Sequence, residues 1–240
     1  MDKKLKKIIQ IFILLILPIA LYAQKDVTQF LDIPVDGFKP EMIKKLKTKG
    51  YTINRYSEDI LDGEFNGTDV NIGIATNNNK VWRIAVMDAN YTDETNIKIR
   101  FNNLIQQFMN NERYVAEPDS IIAKYTIPKE EDISYEITVN KKRYQAVFYQ
   151  KSVEFDTLTN DEIRKIFKEK DNSETRNAVE ELIEGNTENE EIILEIIRKT
   201  FNRLNSLNKS VWFMIDEKYG EYRILMFYEN EYNKANGSGL

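Results

Sequence analysis

The chain contains no histidine and no cysteine among its 240 residues. Without an imidazole or a thiol it cannot assemble a Ser-His-Asp triad, a Cys-His pair or an ordinary zinc site. Most hydrolase chemistry is thereby excluded. No disulfide can staple the fold, even where an oxidising compartment would allow one. Glycine (9 residues) and proline (5 residues) are sparse and scattered. No glycine-rich phosphate loop is present, and Asn66-Gly67-Thr68 reads as a hairpin turn.

Long apolar runs are also missing except at the start. Lys3, Lys4, Lys6 and Lys7 form a positive region, an apolar stretch follows from Ile11 to Tyr22, and small Ala20 and Ala23 stand near its end. This is the three-part order of a secretory signal, with cleavage expected near Ala23. The run falls short of the roughly 20 residues a helix needs to span a bilayer, so no membrane span is expected in the mature form. No cysteine follows the cut, which excludes a lipid anchor on an N-terminal Cys. The leader carries four lysines and one aspartate, so its removal takes the net charge from −5 to −8. That balance disfavours nucleic acid and anionic membranes as partners. About 217 residues remain, enough to bury a core unaided.

What is present is a regular alternation of patterns. Gln24 to Pro34 reads as a first strand or loop. A helix is expected over Pro40 to Lys49, with Met42, Ile43 and Leu46 on one face and Gly50 as cap. Strands follow at Ile60 to Phe65, at Val70, Ile72 and Ile74, and at Val81 to Met87, with Trp82, Ile84 and Val86 facing one way. Asn66-Gly67 and Asn77-Asn78-Asn79 supply the turns. A second helix from Asp93 to Asn111, capped by Thr92 or Asp93, carries Ile97, Phe101, Leu104, Ile105, Phe108 and Met109 on one stripe, with Lys98, Asn102, Asn103, Gln106 and Asn110 opposite.

Further strands are expected at Ile121 to Ile127, Ser134 to Val139 and Arg143 to Gln150. Capping boxes at Thr159/Glu162 and Thr187/Glu190 open helices, the second running to about Leu207, with a short helix around Ala178 to Glu184 between them. Two strands close the chain, Val211 to Ile215 and Tyr222 to Tyr228, the latter apolar on both faces and so expected at the sheet centre. The pattern predicts an α+β fold: antiparallel meanders and hairpins covered by amphipathic helices, in the order α-βββ-α-βββ-ααα-ββ. One domain covers residues 24–233, and residues 234–240 read as a loose tail. The echo of Phe101-Asn102-Asn103-Leu104 in Phe201-Asn202-Arg203-Leu204 suggests a weak internal duplication.

Candidate sites are few. Asp62 with Glu64, and Glu130-Glu131-Asp132, are carboxylate groupings of the kind a glycosidase uses. Their positions on a strand face and in a turn read as solvated surface. The glutamates Glu180, Glu181, Glu184, Glu188, Glu190, Glu191 and Glu195 lack the spacing of a calcium loop. No catalytic residue, cofactor or metal is assigned. Tyr135, Tyr144, Tyr149, Tyr222 and Tyr228 are the expected interaction aromatics, because Tyr joins flat apolar area to a polar tip. Ser120 in Asp119-Ser120-Ile121 and Thr157 in Asp156-Thr157-Leu158 match a short O-glycosylation acceptor pattern.

Phe30-Leu31-Asp32-Ile33-Pro34-Val35-Asp36-Gly37, Glu64-Phe65-Asn66-Gly67, Arg100-Phe101-Asn102-Asn103-Leu104 and Val211-Trp212-Phe213-Met214-Ile215 together resemble a group of uncharacterised exported proteins from anaerobic bacteria. The resemblance implies export and brings no activity or site. The expectation is an exported, non-catalytic binding protein, periplasmic or secreted, for an unknown protein or carbohydrate. A carboxylate-dependent carbohydrate-active enzyme and an envelope assembly or scaffold component are the alternatives.

Overall fold

The computed structural model of the chain describes residues 26–116, 126–151, 159–169, 173–184 and 208–235. It opens with a small hairpin, β1 (Gln29–Phe30) against β2 (Ile33–Pro34), turned through Leu31 and Asp32 at φ of 51° and 63°. This left-handed pair is the turn that matches strand twist. Helix α1 (Lys39–Thr48) follows with Pro40 in its first turn, and buries Met42 and Leu46. Strands β3 (Thr52–Asn54), β4 (Ser57–Phe65), β5 (Thr68–Asn77) and β6 (Lys80–Asp88) form a meander. Helix α2 (Glu94–Met109) leads to β7 (Tyr114–Ala116), helix α3 (Ile133–Thr138) and β8 (Gln145–Gln150). Helices α4 (Asn160–Glu169) and α5 (Ser173–Glu184) precede the closing hairpin of β9 (Ser210–Lys218) and β10 (Glu221–Glu229).

The protein is α+β. Its main sheet runs β3-β4-β5-β6-β10-β9-β8-β7, with every neighbouring pair antiparallel. The turns lie where the Asn and Gly residues predict them: Asn66-Gly67, Asn78-Asn79 and Tyr219-Gly220 all have positive φ. β10 sits between β6 and β9, the central place its two-sided apolar pattern implies. One sheet face, with Ile72, Ile84, Phe148, Phe213, Ile224 and Met226, packs against α1, α2 and the first hairpin. From α2, Ile97, Phe101, Leu104, Ile105 and Phe108 enter that core, and Phe101 meets Phe213 edge-on at 5.2 Å. Burying such a ring is worth about 1.5–3 kcal/mol.

Two expectations are corrected. Ser134 to Val139 is not a strand: Asp132 accepts a hydrogen bond from the Tyr135 N–H at 2.9 Å and caps α3, so Ile133 and Ile137, one turn apart, face the core. The alternation of Tyr135, Ile137 and Val139 imitates a strand but serves a six-residue helix. In β6, Trp82 does not share a face with Ile84 and Val86. Ala75 pairs with Arg83 and Thr76 with Val81, so Trp82 is the extra residue of a bulge, and Val81 takes its place in the core. The polar face of α2 is engaged as well. The Asn102 side chain pairs with both backbone groups of Ile127 at 2.9 Å, and Lys98 Nζ donates to the carbonyls of Lys129 and Glu131. The strand expected over residues 121–127 lies outside the described residues except at its end, where Thr126 and Ile127 are loop. The helix expected over residues 187–207, the Phe201-Asn202-Arg203-Leu204 echo, the expected leader and the expected tail beyond residue 235 lie outside them as well.

At one end of the sheet sits a buried ion pair. Asp88, ending β6, is 5% exposed and accepts from Arg100 of α2 in a two-pronged contact, with Nε at 2.7 Å and Nη2 at 2.5 Å. The Ile224 N–H of β10 donates to the same carboxylate at 3.1 Å, and Arg100 Nη1 donates to Thr68 Oγ1 of β5 at 2.8 Å. The Asp88–Arg100 pair thus ties α2 to three strands. Removing one partner of a buried pair strands the other charge, at about 3–5 kcal/mol. Arg100→Leu is expected to lower unfolding stability by about that amount in urea titrations, and Asp88→Asn in the same chain should recover part of it. An Arg100→Leu midpoint equal to wild type would contradict this.

Candidate functional site

A cleft of about 640 Å³ opens where the first hairpin, the end of β4 and the C-terminal half of α2 meet. Its size falls within the range of small-molecule sites, about 300–1,000 Å³. Aromatic side chains make its floor. Tyr228 lies against Phe30 at 4.9 Å and meets Phe65 edge-on at 6.5 Å, while Phe108 packs on Tyr114 at 4.6 Å.

Each floor residue has a local reason for its place. Tyr51 lies flat across β4 because Gly63 leaves it room: a Cβ at Gly63 would come within 2.3 Å of the Tyr51 ring. The Tyr51 hydroxyl donates to the Glu64 carbonyl at 3.0 Å, and burial, with the nearby Glu64 charge, pushes it up to about 12. Burial also lifts the Tyr228 hydroxyl well above the usual phenol range, and its contact with Tyr114 adds to this. Both phenols are held neutral.

The rim is polar. The Asn66 amide, at the tip of the β4–β5 hairpin, donates to Gln107 Oε1 of α2 at 2.6 Å, linking the two walls. Asn66 Oδ1 and the Gln107 NH2 are left at the mouth, both residues being exposed. On the hairpin side Asp32 pairs with Arg113 at 2.5 Å, an exposed contact that holds the carboxylate below its ordinary value.

The opposite sheet face carries a second cluster. The Arg83 guanidinium lies 4.2 Å from the Trp82 ring and 4.8 Å from Phe227, and Trp212 packs on Phe227 at 4.2 Å. Glu229, its side chain 4% exposed, pairs with Arg83 and accepts from Trp212 Nε1 at 3.0 Å. Burial raises the Glu229 carboxyl, but the indole N–H, a hydrogen bond from Glu231 and Arg83 outweigh it, leaving it below the ordinary value. Glu231 moves the other way: burial and its bond to Glu229 push it up against the pull of Lys234. The two carboxyls therefore move in opposite directions, Glu229 down and Glu231 up, because each lies beside the other.

The five tyrosines expected to form an interaction surface are dispersed. Tyr144 and Tyr222 are core residues, at 5% and 2% exposure. The Tyr144 hydroxyl donates to the Glu131 carboxylate, which also takes Lys142. Tyr228 is equally buried but floors the cleft, Tyr149 is half-buried on the opposite sheet face, and Tyr135 is exposed on α3. No single surface unites them. Ser120 and Thr157 lie outside the described residues. Asp62 accepts from the side chains of Asn54 and Asn71 at 2.8 Å, and Glu180 pairs with Arg164 across α4 and α5. Sequence reasoning missed Tyr51, Phe65, Asn66, Gln107 and Tyr114. The one local sign was Gly63 inside a strand, which marks close approach by another group.

The raised Glu231 fixes a pH prediction. Its protonated form is favoured in the folded chain, so the stability it contributes is present below its unfolded value and is lost as pH rises through its folded value. Glu231→Gln is therefore expected to be more stable than wild type at pH 7. The difference should close as pH falls below the ordinary carboxylate range of about 4, followed by thermal melts across pH. A difference that does not vary with pH would contradict the raised Glu231 carboxyl.

Comparison of the chain with protein-family models, with curated proteins and with solved structures gives no match.

Proposed function

We propose that the protein is an exported, non-catalytic binding protein that holds a small neutral carbohydrate in the aromatic-floored cleft. The observation that carries this is the pairing of a ring-lined floor with unspent amide groups at the Asn66–Gln107 mouth. A sugar ring offers the matching pair of surfaces: an apolar face for aromatic rings and hydroxyls for side-chain amides. The charged rim groups do not favour either sign of ligand, since Asp32 is neutralised by Arg113 and the lining otherwise holds one anion, Glu64, and one cation, Lys49. Export is supported by the leader-like residues 1–23 and by the resemblance to exported proteins of anaerobic bacteria.

The reading as a carboxylate-dependent enzyme finds less support. A glycosidase holds its two carboxyls about 5–9.5 Å apart, one of them as a protonated acid. The one carboxyl whose value is raised among the described residues, Glu231, lies beside Glu229 on the other sheet face, away from the cleft. Among the described residues no helix is long and apolar enough to cross a membrane.

Titration of the mature protein with neutral mono- and disaccharides by calorimetry is the test. At least one should bind saturably. Gln107→Leu should weaken it about tenfold, the effect of losing about 1.4 kcal/mol of hydrogen bonding, with an unchanged melting temperature. Absence of any saccharide binding, or binding indifferent to Gln107→Leu, would overturn the assignment. The N-terminus of the protein recovered from the envelope or medium should lie near residue 24, and an intact residue 1 would refute export.

A further inference from the structure

We propose that the opposite sheet face holds a second, independent site, which takes a small organic cation between Trp212, Tyr149 and Glu231. A cavity of about 320 Å³ opens there, and its described lining is Gln145, Val147, Tyr149, Ser210, Trp212 and Glu231. Two aromatic residues and an aliphatic one supply the walls. Glu231 is the one charged group among them.

Aromatic faces carry negative electrostatic potential, and a carboxylate beside them completes the environment of an ammonium binder. The same surface already demonstrates that preference. The Arg83 guanidinium is held among Trp82, Phe227 and Trp212 at 4.2, 4.8 and 5.8 Å, with Glu229 as its counter-ion. The cavity lies on the neighbouring part of this arrangement and shares Trp212 with it. Glu229 takes Arg83, the Trp212 indole N–H and, more distantly at 3.5 Å, Lys234, whereas among the described residues Glu231 takes one cation, Lys234, at 3.2 Å. That lysine side chain is 42% exposed. Its ammonium occupies the charge position that a ligand cation would take, and its exposure leaves it free to withdraw into solvent. The protein's net charge of −5 favours approach of a cation as well.

The volume lies at the small end of ligand sites, which suits a compact quaternary or primary amine rather than a polyamine chain. The site uses none of the residues of the carbohydrate cleft, so the two proposals stand or fall separately.

The test compares choline with 3,3-dimethylbutan-1-ol, its neutral isostere, by tryptophan fluorescence titration of the full mature protein. Choline should bind saturably and the isostere at least about tenfold more weakly. Glu231→Gln should weaken choline about tenfold, while Lys234→Gln, which removes the resident competitor, should tighten it several-fold. Opposite effects of the two variants cannot come from general destabilisation. Saccharide binding at the cleft should be unchanged in both. Equal response to choline and its isostere, no response to either, or loss of binding in Lys234→Gln would overturn the proposal.

Discussion

The placement of α2 depends on one buried contact, the Asp88–Arg100 pair. Asp88 ends β6 and receives a backbone N–H from β10, while Arg100 projects from α2 and reaches back to Thr68 at the start of β5. A buried pair contributes little net stability compared with apolar substitutes, because desolvation offsets attraction. Its effect is on position. The apolar stripe of α2 could slide or rotate over a flat apolar sheet at small cost, whereas a guanidinium with three fixed acceptor atoms, two on Asp88 and one on Thr68, permits one placement. That placement sets Leu104, Gln107 and Phe108, one and two turns further along, above the floor of the cleft.

The sheet then divides the molecule chemically. On the covered face, aromatic and aliphatic side chains from the hairpin, α1 and α2 close a core in which the polar atoms are paired: Asn230, fully buried, donates to the Val35 carbonyl at 2.8 Å and accepts from the Tyr232 N–H at 3.0 Å. On the other face, Arg83, Trp82, Trp212, Phe227 and the Glu229–Glu231 pair form a half-exposed polar-aromatic cluster. The bulge at Trp82 creates that division at β6. By inserting one residue it turns Trp82 away from Ile84 and lets Val81 fill the core.

Much of this architecture was legible because it is locally encoded. Asn66-Gly67, Asn78-Asn79 and Tyr219-Gly220 carry their turn conformations in their own side chains, and the α2 stripe repeats with helical period over sixteen residues. The central place of β10 could be read from its two apolar faces. What escaped is what a neighbour decides. Tyr135, Ile137 and Val139 alternate like a strand, and only the Asp132 cap and the burial of Ile133 turn them into a helix. The bulge at Trp82 follows from registration against β5, which no period in β6 announces. The cleft gathers Tyr51, Phe65, Phe108, Tyr114 and Tyr228 from five separate segments of the chain. Each reads alone as an ordinary core aromatic, so only the folded arrangement distinguishes a binding floor from a filled core.

The central claim is that this aromatic floor with its amide mouth receives a ligand. Amide chemical-shift mapping during a saccharide titration tests it most directly. The account predicts shifts confined to residues around Tyr51, Asn66 and Gln107, with Trp212 and its neighbours on the other sheet face unmoved. Shifts centred on the Trp212 face, or none at saturating saccharide, would contradict it.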